Sequence, residues 1–244
     1  MNRCIMLAML FWFFVSCGSD TGDDLPIQEG ARLISFAGYN WVVEDSGETP
    51  VGPGPNYFSD SGENVWVDNE GRLHLKIVQR DGKWYCSKVT MWKSYGYHKY
   101  VFYVDCRVDQ LDKNVVAGLF AYKNDEQEID IEVSKWGDAN KDNCQFAVQP
   151  STNVGNKVRF NLSLQDNYSI HFFNWQKDSI EFGTYLGKSL TSTKEDVVKD
   201  WTYTGKDIPT SMDLRIKINL WLFRGRFPND NQDNELIIRD FKIY

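Results

Sequence analysis

Apolar and polar residues alternate along most of this chain in short runs separated by turn residues. In Leu73-His74-Leu75-Lys76-Ile77 the character changes at every step, the period of a strand that buries one face. Comparable runs occupy 65–67, 84–91, 97–108, 115–122, 128–133, 145–148, 158–164, 169–175, 179–182, 215–223 and 235–243. Asp68-Asn69-Glu70-Gly71 and the dipeptide Asp81-Gly82 supply turns between them. No stretch longer than about two turns keeps a helical apolar period, and 195–201 is the one short candidate. Many short strands at roughly 8–12-residue spacing predict a single all-β domain, a sandwich or a barrel. The long connections, 44–62 and 183–212, are where a sheet scaffold tends to carry function.

One run departs from the others. In Glu128-Ile129-Asp130-Ile131-Glu132 every polar position is an acid. Period two sends Ile129, Ile131 and Val133 toward the core and Glu128, Asp130 and Glu132 together onto the opposite face. The nearest bases, Lys123 and Lys135, lie outside the run. Like charges this close repel unless they share protons or a ligand uses them; a solvated acidic face is the plainer alternative. At about 3.3 Å per residue the Cα atoms of Glu128 and Glu132 stand about 13 Å apart. Side chains leaning together then approach the roughly 5–5.5 Å between the two carboxyls of a retaining glycosidase. The shorter Asp130 leaves room for a sugar and helps keep one Glu ionised and the other protonated.

Composition narrows the partners. Aromatics make up 15% of the 244 residues, which suits both sheets and surfaces that stack on sugar rings. The formal net charge is -7 with no basic run, which excludes nucleic acid as a partner. His74, His98 and His171 have no metal-ligand spacing and no CxxC pair exists, so no cofactor is expected. Cys86 and Cys106 stand ten residues either side of Gly96. A hairpin tipped by Gly96 would let them form a disulfide, and buried free thiols are the equal alternative.

The first residues read as an address. Arg3 precedes an apolar stretch over 6–15, shorter than the ~20 residues that span a bilayer. It runs into Phe14-Val15-Ser16-Cys17, which resembles a bacterial lipobox with Phe in place of the usual Leu. That resemblance implies a lipoprotein signal peptide over 1–16, lipidation of Cys17 and an acidic tether over 17–25, ahead of a domain over 26–244. An ordinary signal peptide with a chance cysteine is the alternative. The acidic run after Cys17 is similar to surface-export signals of Bacteroidetes lipoproteins, which implies an extracytoplasmic, membrane-anchored location, the outer membrane or cell surface.

The acid run itself is similar to the signature of glycoside hydrolase family 16. Other stretches agree in the family's order: Ser94-Tyr95-Gly96-Tyr97-His98-Lys99-Tyr100, then His171-Phe172-Phe173-Asn174-Trp175 with Ile180-Glu181-Phe182, then Asn219-Leu220-Trp221. The resemblance spans roughly 36–244. It implies a jelly-roll β-sandwich of two antiparallel sheets with a concave groove, and a monomeric retaining endo-β-glycosidase acting on a polysaccharide. By position Glu128 is implied as nucleophile, Asp130 as assisting acid and Glu132 as general acid/base. The uninterrupted motif is the form of lichenase-like and xyloglucan-type members. Trp136, Asn219, Trp221, Tyr122 and Tyr95 are candidate sugar contacts, and the parity of Gln145 and Gln149 places both beside the acids. A structural calcium on the convex face occurs in such proteins, although no acidic loop here demands one. A non-catalytic carbohydrate-binding protein on the same sandwich and a transglycosylase are the alternatives. The chain departs from lichenase-like members at Glu126, where they carry Trp, and at Lys88 and Thr90, where acid and Arg are common. Its Gly52-Pro53-Gly54-Pro55-Asn56-Tyr57 segment has no evident counterpart. These differences alter the sugar contacts.

Overall fold

A computed structural model of the protein describes residues 24–26, 29–190 and 193–244. The expected signal peptide, Cys17 and nearly all of the tether lie outside the described residues. In chain order the strands are β1 (Leu33–Phe36), β2 (Tyr39–Val43), β3 (Tyr57–Phe58), β4 (Val65–Val67), β5 (Leu73–Arg80) and β6 (Lys83–Met91). They continue with β7 (Lys99–Asp105), β8 (Val115–Asn124), β9 (Gln127–Val133), β10 (Cys144–Val148) and β11 (Lys157–Phe160). The last are β12 (Tyr168–Trp175), β13 (Ile180–Leu186), β14 (Val197–Tyr203), β15 (Arg215–Leu222) and β16 (Asn234–Ile243). Among the described residues the only helical pieces are short 3-10 turns.

The strands form two layers. The front layer runs β11-β10-β9-β8-β15-β6 and is extended by β2 and β1; the back layer runs β5-β16-β7-β12-β13-β14 with β4 beside β5. The layers join where β5 turns into β6, paired through Val78 with Tyr85, Gln79 with Trp84 and Arg80 with Lys83. Asp81 and Gly82 make that turn at φ 49° and 78°, the left-handed pair that a two-residue hairpin with native twist requires. Every pairing is antiparallel except the short β3–β6 contact.

Aromatic side chains fill the space between the layers. Phe146 of β10 stacks on Phe182 of β13 at 5.1 Å, and Trp41 of β2 meets Phe241 of β16 edge-on at 5.4 Å. Trp175 is buried as well, its indole N–H donating to the Pro209 carbonyl at 3.1 Å, so the ring is enclosed without an unpaired donor. Ile129, Ile131 and Val133 lie in this core, as the alternation predicts. Their burial holds the three acids of β9 on the outer, concave face of the front layer.

Three expectations change. Residues 195–201 are not a helix: a 3-10 turn over Lys194–Asp196 leads straight into β14, whose pairing with β13 outweighs a weak helical period. Gly96 does not tip a hairpin, because β6 belongs to the front layer and β7 to the back. Cys86 and Cys106 are therefore free, as is Cys144. The β1–β2 hairpin was not evident in the sequence, since its strands are short and its turn is Ala37-Gly38.

Two outcomes follow from this packing. Phe146→Ala empties a fully buried site facing Phe182 and lowers the unfolding free energy by about 3–5 kcal/mol, read from denaturant titration. Reduction with dithiothreitol leaves the melting temperature unchanged, because no cross-link constrains the unfolded chain; a drop would reveal a bridge.

Candidate active site

β9 lies inside the front layer between β8 and β10, so each acid has a defined neighbour on either side. Glu128 stands opposite Tyr122, Asp130 between Phe120 and Ala147, and Glu132 between Gly118 and Gln145. The next strand outward, β15, sets Asn219 beside Gly118 and Lys217 beside Phe120. Together these residues line a cavity of about 430 Å³ that crosses β9, β8, β15 and β6 and ends at Lys88. Trp221 lines it too, and Gly52 and Pro53 close one wall. That wall is pinned by Asn56, whose side-chain amide donates to the carbonyls of Pro53 at 2.7 Å and Leu222 at 3.0 Å. The distinctive Gly/Pro segment is thus part of the groove.

Enclosure decides the protonation of the trio. Burial pushes the Glu128 carboxyl up to about 7; a hydrogen bond from Asp130 opposes the rise and the Glu132 charge adds to it. Burial and the Glu128 charge hold Asp130 well above the usual carboxylate range, even though Gln149 Nε2 donates to its Oδ2 at 2.9 Å. Asp130 therefore keeps its proton and donates a hydrogen bond to Glu128. Glu132 is also pushed up to about 7, by burial and then by the Asp130 charge. Gln145 Nε2 donates to Glu132 Oε2 at 2.6 Å and counters part of that rise. The arrangement supports one carboxylate beside one carboxylic acid near neutral pH, the pair that acid and nucleophile chemistry needs.

Further residues reach the trio from the other side. Arg159 Nε donates to Gln145 Oε1 at 3.0 Å, and its guanidinium lies 4.1 Å over the Trp136 ring. Trp136 is buried and hydrogen-bonds Glu132 from a left-handed backbone at φ 46°. Its N–H donates to Ser134 Oγ at 2.9 Å, which helps hold this uncommon conformation. Across the groove, a Cβ on Gly118 would overlap Asn219 Oδ1, an atom that is buried with no hydrogen-bond partner among the described residues. Glycine at 118 thus opens the space that this acceptor faces.

Of the residues expected from sequence, Glu128, Asp130, Glu132, Tyr122, Asn219 and Trp221 share the cavity, while Gln145, Gln149 and Trp136 contact the acids. Tyr95 does not belong with them. The chain leaves the front layer after Met91, and Tyr95 packs edge-on against Tyr39 at 5.8 Å instead. Phe120, Lys217 and Arg159 were missed. The first two follow from strand parity with Asn219 and Asp130, whereas Arg159 depends on a β10–β11 register that no local pattern announces. Among the described residues no group of three or more His, Cys, Asp or Glu is placed to hold a metal ion.

No family model and no curated protein matches the chain. Solved structures do. A β-glucanase of Bacillus licheniformis superposes with a TM-score of 0.63 at 20% identity, over 89% of this chain and 99% of that one. A glycosyl hydrolase family protein of Mycobacterium fortuitum gives 0.63 at 15% identity, over 84% and 91%. A protein of Mycobacterium tuberculosis, described as an immunostimulatory antigen and pseudo β-1,3-glucanase, gives 0.61 at 14% identity, over 84% and 90%. At such identities the likeness is one of fold, and the chain has the jelly-roll sandwich that these glucanase-like proteins share.

Proposed function

We propose that the protein is a retaining endo-β-glycosidase that hydrolyses a β-linked polysaccharide outside the cytoplasm. The observation that carries this reading is the enclosed trio on β9, in which Asp130 is held well above the usual carboxylate range and Glu128 and Glu132 are both pushed up to about 7. We assign Glu128 the carboxylate role and Glu132 the acid. A pseudo-glucanase on the same fold means that architecture alone does not decide, so the argument rests on the acids. A purely binding groove has no use for three carboxyls that repel one another.

In the first step Glu128 attacks the anomeric carbon while Glu132 gives its proton to the departing glycosidic oxygen, and a glycosyl ester forms. In the second step Glu132, now a carboxylate, takes a proton from water as the water oxygen displaces Glu128. The free enzyme is restored, and the anomeric configuration is retained after two inversions. A sugar hydroxyl replacing that water would make the same site a transglycosylase. Asp130 stabilises the Glu128 carboxylate before attack, and Gln145 orients Glu132. Trp221 and Tyr122 offer ring faces to a pyranose, and Asn219 Oδ1 offers an acceptor to a hydroxyl. As part of the same reading, lipid on Cys17 would hold the monomeric domain at a membrane where released fragments are captured.

Glu132→Gln is expected to lower kcat by about 10²–10⁴-fold on unactivated substrate, whereas Glu128→Gln stops turnover and keeps oligosaccharide affinity. Proton NMR of the first-formed product should show the β anomer; an α anomer would sink the double displacement. Activity should trace a bell against pH. It falls on the alkaline side as Glu132 ionises and on the acid side as Glu128 takes up a proton. Both carboxyls are pushed up to about 7, so the bell should be narrow and centred near neutrality. Arg159→Met removes a cation that favours the Glu132 carboxylate, so the alkaline limb should move to higher pH. An unmoved limb would show that Arg159 does not act on Glu132.

A further inference from the structure

Two lysines line the same cavity as the acids, and they are not equivalent. Lys88 of β6 is enclosed but neutralised: its Nζ meets Glu44 Oε1 at 3.1 Å and lies 4.6 Å over the Phe58 ring. Lys217 of β15 sits 4.4 Å over the Tyr122 ring, and among the described residues no carboxylate comes within ion-pair distance of it. Burial, and next the Lys88 ammonium, pushes Lys217 down to about 8, so it still carries its proton at neutral pH.

An enclosed cation without an ion-pair partner is costly, and this chain has 34 acidic residues from which one could have been drawn. Among the described residues none is placed within ion-pair distance. The charged groups that act on Lys217 are Lys88, Glu44 and Glu128. Glu44 is engaged by Lys88, and Glu128 accepts a hydrogen bond from Asp130 while its charge acts on Lys217 from beyond ion-pair distance. Neither forms an ion pair with Lys217. The Tyr122 ring offers it only a π face, which is weaker than an ion pair. In the same row of the groove Asn219 Oδ1 is buried with no donor among the described residues. Cation and acceptor thus line the same cavity.

The position says which part of that occupant matters. Lys217 lies two strands from Asp130, about 10 Å in the direction in which the cavity crosses the sheet. It therefore addresses a ring beside the bond under attack rather than the bond itself. Taking the glycosidase reading as its basis, we propose that Lys217, backed by Lys88, binds an anionic substituent, a carboxylate or a sulfate, on the glycan chain. A charge-assisted bond to such a group supplies the missing counter-charge, and a neutral glycan leaves it unmet.

The test compares neutral, carboxylated and sulfated forms of one β-glucan and one β-galactan at fixed ionic strength. Affinity is measured with wild-type protein and with Glu128→Gln, and turnover with wild type. At least one anionic form is expected to bind about tenfold more tightly than its neutral parent, and the better of the two identifies the group. Lys217→Met should erase that preference while leaving affinity for the neutral polymer, and Lys217→Arg should keep it. Equal affinity for neutral and anionic forms, binding to none, or a preference that survives Lys217→Met overturns the proposal. If the preference holds but no polymer is cut, the anion site stands and the glycosidase reading falls. If neutral polymer is bound and cut as well as anionic, the reverse is true.

Discussion

Three carboxyl groups on one face of one strand cannot all be ionised once the groove walls shut out water, and much of the concave face answers to that repulsion. Asp130 resolves it by keeping a proton and bonding to Glu128. Gln149 and Gln145 each give an amide N–H to an acid that has lost its water, and Arg159 polarises Gln145 from behind. Such a network is costly if one member is missing, because a buried acceptor is then left bare. That dependence fits the spread of the groove's polar residues over several neighbouring strands rather than one loop.

The sandwich makes the network affordable in geometric terms. Ile129 and Ile131 are locked into an aromatic core between two layers, so β9 cannot slip by one residue without exposing them and burying the acids. Rigidity on the core side is what allows strained or under-satisfied features on the groove side. Trp136 keeps a left-handed backbone, and among the described residues Asn219 Oδ1 has no hydrogen-bond partner and Lys217 no ion pair. All three cluster around one cavity, the pattern expected where binding rather than folding completes the contacts.

The legible parts of the chain are those governed by local period. Most strands outside the ends of the chain, the all-β architecture and the shared face of Glu128, Asp130 and Glu132 follow from alternation alone. Parity also placed Gln145 and Gln149 beside the acids. The errors came where a neighbour outside the segment decides the outcome. Residues 197–203 became a strand because β13 offered a free edge, and Cys86 and Cys106 separated because β6 and β7 joined different layers. Tyr95 read as a groove residue from its motif, yet its backbone had already left the concave sheet.

Sequence by itself therefore determined which side chains share a face, since a strand's alternation is a property of consecutive residues. Only tertiary structure decided which faces meet and how far water is excluded from them. Proton sharing in the trio, the reach of Arg159 to Glu132 through Gln145, and the isolation of Lys217 all depend on strand order and enclosure. Those quantities arise from residues far apart in the chain, because charge and solvation respond to distance in space and not to position in sequence.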